Sequence, residues 1–97
     1  MLVIVSFGDQ ATEDFYNGVA SKHARAIPSI IAKATRRALD RLAAADALQD
    51  LRGPGLSLEK LRTREGFWSM RVNDQYRIIF RFESANAHDV ELTKHYR

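Results

Sequence analysis

The 97-residue chain has no cysteine, which excludes disulfide scaffolds, thiolate zinc sites, iron–sulfur clusters and cysteine nucleophiles. A reducing, intracellular home fits that composition. Long apolar runs are also missing. The opening stretch, Leu2 to Phe7, is far shorter than the roughly 20 residues a membrane span requires, and no basic segment or small-residue cleavage site accompanies it. The chain is therefore expected to be cytoplasmic and unprocessed, with no membrane partner. Its three histidines lack Asp or Glu partners at metal-ligand spacing, so neither a metal nor a cofactor is expected. Repeats, low-complexity tracts and long linkers are absent, and residues 1–97 read as a single domain.

What is present is charge, unevenly placed. Fifteen Lys and Arg against twelve Asp and Glu leave +3. The first twenty residues carry three acids (Asp9, Glu13, Asp14) and no base, whereas residues 22–41 carry six bases against Asp40. A second basic stretch, residues 52–81, has seven bases and three acids, Glu59, Glu65 and Asp74. Two basic surfaces on so small a body point to an anionic partner such as nucleic acid, or to solvated helix and strand faces.

Leu2, Val3, Ile4 and Val5 form a continuous run that predicts a buried strand ending at Gly8 and Asp9. From Asp9 to Asn17, helical spacing of Ala11 and Phe15, acids in the first turn and a closing Gly18 predict a short helix. Pro28 suits the first turn of a second helix. Along it Ile27, Ile31, Ala34, Ala38, Leu42, Ala45 and Leu48 recur every three or four residues, opposite Lys33, Arg36, Arg37, Asp40 and Arg41. Gly53, Pro54 and Gly55 require it to end by Leu51.

Beyond this loop the period falls from about 3.6 to 2, a switch from helix to sheet. Residues 56–62 are expected to form a first strand. In 67–82 the even positions Trp68, Met70, Val72, Tyr76, Ile78, Phe80 and Phe82 are apolar or aromatic, and Asn73-Asp74-Gln75 interrupts the run with turn chemistry. Opposed residues in a hairpin share a face, so an even-to-even match requires an odd loop, most simply residues 73–75. Val72 then faces Tyr76, Met70 faces Ile78 and Trp68 faces Phe80. Arg71 is thereby set opposite Arg77. A like-charge pair is unfavourable unless an anion neutralises it, a bulge separates it, or Asp74 and Glu83 act as counterions. A closing strand over 89–94 completes the chain, with His88 in the turn before it and His23 in the loop before the second helix. Trp68, Phe80 and Phe82 are expected to be core.

These stretches together resemble the HigB-like branch of the RelE superfamily of toxins, also called plasmid-maintenance killer proteins. The similar segments are Ser6-Phe7-Gly8-Asp9 through Phe15-Tyr16-Asn17-Gly18, Ala38-Leu39-Asp40-Arg41-Leu42 through Leu51-Arg52-Gly53-Pro54-Gly55, residues 64–78, and Asp89-Val90-Glu91-Leu92. The resemblance implies an α+β fold: a small antiparallel sheet, made of the N-terminal strand and three to four C-terminal strands, packed by two N-terminal helices. It further implies the toxin of a type II toxin–antitoxin module, a ribosome-dependent and metal-independent mRNA endonuclease. The implied partners are the ribosome, mRNA and a HigA-like helix-turn-helix antitoxin, with oligomers formed only through that antitoxin.

Metal-free RNA cleavage by the 2′-hydroxyl needs a group to take its proton, an acid for the departing 5′ oxygen, and cations at the phosphoryl oxygens. Arg77 matches the arginine of the family's Trp-Arg-Ile motif, here Tyr76-Arg77-Ile78, and its planar fork suits phosphate. Arg62 stands where family members often carry Lys, with Lys60 as the substitute and Arg71 as a third phosphate contact. Where HigB-like chains often end Asp-Tyr-His, this one has Lys94-His95-Tyr96, so His95 and Tyr96 are the acid–base candidates and a carboxylate role is put in doubt. Lys94, Arg36 and Arg37 complete the candidate RNA contacts, and the arginine stripe of the second helix faces ribosomal RNA, an acidic antitoxin segment or solvent. Two rival expectations remain: a non-catalytic toxin of the same fold acting on DNA gyrase, and a degenerate toxin retained in an operator-binding complex.

Overall fold

The computed structural model describes residues 2–53 and 55–94. Its elements are α1 (Gln10–Asn17), α2 (Lys22–Arg25), α3 (Ser29–Ala44), a 3₁₀ turn (Leu48–Leu51), β1 (Glu59–Lys60), β2 (Phe67–Arg71), β3 (Tyr76–Glu83) and β4 (Asn86–Lys94). The four strands form one antiparallel sheet in the order β1-β2-β3-β4. The fold class is the α+β arrangement expected.

The β2–β3 hairpin has the register that parity demands: Trp68 opposes Phe80, Met70 opposes Ile78 and Arg71 opposes Arg77. The Val72 amide donates to the Tyr76 carbonyl across the loop at 3.0 Å. Met70, Ile78 and Phe80 are fully buried with Leu2, Leu39, Leu42, Leu51, Ala87 and Val90, while Trp68 and Phe82 pack on that cluster.

The N-terminal run departs from expectation. It is not a regular strand of the antiparallel sheet; it runs parallel to β4 through two separate bridges, Ile4 to Ala87 and Phe7 to Val90. The cause lies in β4, where the pairing with β3 shifts after Ile79 and Asp89 adopts a φ of 54°. That bulge breaks the two-residue period, so the ladder cannot continue past Ala87. Ser6 fills the break: its hydroxyl accepts the Asp89 amide and its carbonyl accepts the Val90 amide.

The helical layer is also divided further than its apolar stripe implies. Pro28 is the N-cap of α3, and a separate single turn, α2, is capped by the Ser21 hydroxyl, so His23 lies on a helix. α3 stops at Ala44 despite the alanines that follow, because Ala45 turns extended and its carbonyl accepts the Leu2 amide at 2.8 Å. The Asp50 carboxylate then accepts the amides of Asp46 and Ala47. Tertiary pairing thus overrides local propensity. The expected strand over 56–62 shrinks to Glu59–Lys60, because Ser57 has a φ of 46° and turns the chain. β4 begins earlier than expected. The two-residue turn Ser84-Ala85, at φ of 53° and 62°, closes the β3–β4 hairpin without the usual Asn-Gly, and His88 is inside the strand.

Two buried threonines give opposite predictions. The Thr12 hydroxyl accepts the Leu92 amide at 3.0 Å, tying α1 to β4. The Thr35 hydroxyl, on α3, is buried with no partner among the described residues. Replacing an unpaired buried hydroxyl by a methyl removes a desolvation cost, whereas orphaning a buried amide adds one. Chemical denaturation is expected to show Thr35→Val more stable by about 1 kcal/mol and Thr12→Val less stable by about 1–2 kcal/mol.

Candidate functional site

Residues that oppose one another across paired strands share a face, so the register builds two rows on the side of the sheet away from Met70, Ile78 and Phe80. One row runs Glu59–Ser69–Ile79–Glu91 across all four strands, and beside it lies Arg71–Arg77–Thr93. Arg77 is the fixed point. Its Nε donates to the Ser69 hydroxyl at 2.9 Å and an Nη donates to the Ser57 carbonyl at 2.7 Å. Its side chain is only 13 % exposed. The Glu59 carboxylate stands 3.8 Å from the same guanidinium.

The left-handed Ser57 is the one strained residue touching this group. Its carbonyl is turned onto Arg77, so the backbone distortion serves the clamp. Arg71 and Arg77 do face one another, with no bulge between them. Their charges are offset internally: Arg71 pairs with Asp74 and Arg77 with Glu59, whereas Glu83 pairs with Arg81. The opposed arginines therefore do not by themselves demand an external anion.

The other candidates divide. Arg62 is exposed in the loop after β1 and lines, with Glu59, Lys60, Leu61 and Glu65, an open concavity of about 680 Å³ beside the Arg77 face. Lys60 opposes Trp68 and Lys94 opposes Tyr76, which turns both toward the side opposite Arg77. Strand alternation sets both positions, and Lys60 still lines the concavity with Arg62.

Arg36 is a correction of another kind. Its guanidinium donates to the carbonyls of Phe15 and Tyr16 and lies over both rings, 4.9 Å and 5.7 Å from their centres. It closes the C-terminus of α1. Arg37 is exposed on α3. His95 and Tyr96 lie outside the described residues. Among the described residues no group of three or more His, Cys, Asp or Glu is placed to hold a metal ion, and no helix is long and apolar enough to cross a membrane.

Glu59 is a residue of this face that the sequence reading did not single out. The parity rule that placed Arg71 opposite Arg77 would have placed Glu59 beside Ser69, had the β1–β2 register been known. Glu91 is a second carboxylate on this face, and a Cβ at Gly8 would stand 2.7 Å from its Oε1. Gly8 thus gives that carboxylate its room.

A family model for HigB-like toxins, described as the RelE-like toxin of the type II toxin–antitoxin system HigB, matches residues 5–95. The chain belongs to this family. Toxin HigB-1 of Vibrio cholerae serotype O1 is 41 % identical over 93 residues, covering 94 % of this chain and 96 % of that one. An uncharacterized protein of Haemophilus influenzae is 38 % identical over 71 residues, covering 71 % and 70 %. Among solved structures, the YoeB–YefM complex from Staphylococcus aureus superposes with a TM-score of 0.61 at 25 % identity and 99 % coverage of both chains. This HigB-like toxin is accordingly the toxin member of a type II toxin–antitoxin system, with an antitoxin as its partner.

Burial pushes the Glu91 carboxyl above the usual carboxylate range, nearby Asp9 adds to the effect and Arg64 opposes it. The native state then holds this proton more tightly than the unfolded chain does. Stability from this group is full below the unfolded value of about 4.3. It is lost as pH rises from there through the raised native value. Glu91→Gln is expected to raise the melting temperature over wild type at pH 7, with the gain shrinking toward pH 4; an equal gain at both would assign the effect to something other than this ionisation.

Proposed function

We propose that this toxin is a ribosome-dependent, metal-independent mRNA endonuclease of the cytoplasm, acting as one domain over residues 1–97. A HigA-like helix-turn-helix antitoxin neutralises it, and oligomers form only through that partner. The observation that carries the reading is the Arg77 clamp: a nearly buried guanidinium, held by Ser69 and Ser57, with one carboxylate at its edge. A cation fixed this way stabilises charge developing on a phosphoryl group without reorganising.

In the proposed step the 2′-oxygen attacks phosphorus and its proton passes to Glu59. The bond from phosphorus to the 5′ oxygen breaks, leaving a 2′,3′-cyclic phosphate. The departing oxygen takes a proton from an acid, the role proposed for His95, with Tyr96 orienting the ribose. Arg71 and Arg62 attract the flanking phosphates. Every transfer is a proton or a phosphoryl group, and each bond broken is matched by one formed.

Mapping transcript ends by primer extension after induced expression tests the reading. Wild type is expected to cut within translated frames. Arg77→Ala is expected to lose 10²- to 10³-fold, roughly the cost of removing one transition-state donor. Glu59→Gln is expected to lose about 10²- to 10⁴-fold, as for removal of a general base. Toxicity with intact transcripts and stalled replication would instead identify a gyrase inhibitor. A wild type harmless to growth would indicate a degenerate toxin retained as an operator-complex partner.

A further inference from the structure

The face of α3 away from the core carries Lys33, Arg37 and Arg41 at four-residue spacing, which sets their backbone positions about 6 Å apart along the helix axis. Like charges at this spacing disfavour a helix by a few tenths of a kcal/mol per pair. Among the described residues neither Arg37 nor Arg41 has a carboxylate within ion-pair distance. Arg36, one residue away, is committed to the end of α1 and does not share the line.

Between α3 and the end of β2 lies a cleft of about 180 Å³ lined by Arg37, Arg41 and Arg71, with Ala34, Ala38 and Val72 among its other walls. The side chain of Arg41 is laid along Gly53, where a Cβ would stand 2.7 Å from its Nη2. A second concavity of about 400 Å³ shares Arg37 and Arg41 and adds Lys33, Arg36, Ala44 and one acid, Asp40. At the other end of the cleft Arg71 directly opposes Arg77. Shared lining and strand pairing thus connect Lys33, Arg37, Arg41, Arg71 and Arg77 in sequence, with Asp40, Asp74 and Glu59 beside them.

We propose that the cleft between α3 and β2 is a phosphate-binding subsite for single-stranded RNA, through which the strand held at Arg77 runs out along α3. The proposal rests on the nuclease reading of the Arg77 face. Continuity with that face favours the mRNA strand over an acidic protein segment, because a polymer seated at Arg77 must leave past Arg71. The small side chains of Ala34 and Ala38 leave room for a phosphate at the cleft wall, and planar guanidinium forks bind its oxygens in pairs.

The test measures binding of the full chain to a single-stranded 2′-O-methyl RNA, which lacks the attacking hydroxyl and cannot be cut, across a salt series. Each phosphate contact contributes about 0.7 to the slope of log affinity against log salt for single strands. Arg37→Gln/Arg41→Gln is expected to lower that slope by about 1.4, twice 0.7. Arg37→Lys/Arg41→Lys is expected to keep it, and thermal melts to show both variants folded. An unchanged slope in the Gln variant overturns the proposal. So does a loss confined to the duplex form of the same RNA, which would assign the cleft to structured RNA, or to a polyglutamate peptide, which would assign it to a protein partner. Binding is read without cleavage, so a chain that shows the expected slope yet cuts no transcript keeps the subsite and ends the nuclease reading, and the reverse pattern does the opposite.

Discussion

The parity of the β2–β3 hairpin is the constraint on which the rest of the molecule depends. Met70, Ile78, Trp68 and Phe80 must meet the helices, and an odd loop of Asn73, Asp74 and Gln75 lets them do so in register. A slip of one residue would turn the whole apolar set to solvent. The same pairing leaves Arg71 and Arg77 no choice but to oppose each other on the other side. The charged site is thus the reverse face of the hydrophobic solution. Asp74 and Glu59 then make the arrangement tolerable, one from the hairpin loop and one from β1.

What the sequence disclosed and what it withheld follow from the range of the interactions involved. The hairpin was legible because its loop, alternation and apolar set are all local. α1 was legible for the same reason, with Asp9 capping one end and Gly18, at a φ of 74°, the other. The N-terminal run was only half legible. Its hydrophobicity announced a buried extended segment, but its direction and broken ladder depend on Asp89, more than eighty residues away in the chain. The end of α3 was hidden likewise, since alanine propensity argues for continuation and only the Leu2 amide argues against it. No feature of Ser84-Ala85 signals a tight turn; the left-handed pair is imposed by the strands on either side.

The site repeats this division at the level of single side chains. Arg77 and Arg71 were found by register, and Arg62 falls on the rim of the neighbouring concavity. Lys60 and Lys94 could not be oriented from residue type alone, and alternation turns both to the side of the sheet opposite Arg77. Arg36 shows the limit of a charge stripe as evidence. Viewed along α3 it belongs with Arg37, yet its guanidinium satisfies carbonyls at the end of another helix. Only the tertiary partner separates a structural arginine from an available one.

That separation gives the basic excess of this toxin its meaning. Arg36, Arg81 and Arg77 are each held by polar partners inside the fold, and Arg36 and Arg81 are fully accounted for by the structure they stabilise. Arg77 is held by neutral oxygens on two sides and, among the described residues, by one carboxylate at 3.8 Å. Arg37 and Arg41 have no such partners among the described residues and sit at a spacing that weakly disfavours the helix carrying them. A net charge of only +3 would be a poor guide to a polyanion partner if its cations were spread evenly. Here the path from α3 to the Arg77 face has its ion pairs at the sheet end, Asp74 with Arg71 and Glu59 with Arg77, and Arg37 and Arg41 are left without one among the described residues. Under the proposed reading the attraction for RNA resides in that path: a change at Arg81 or Arg36 then acts through folding, and a change at Arg37 or Arg41 through binding.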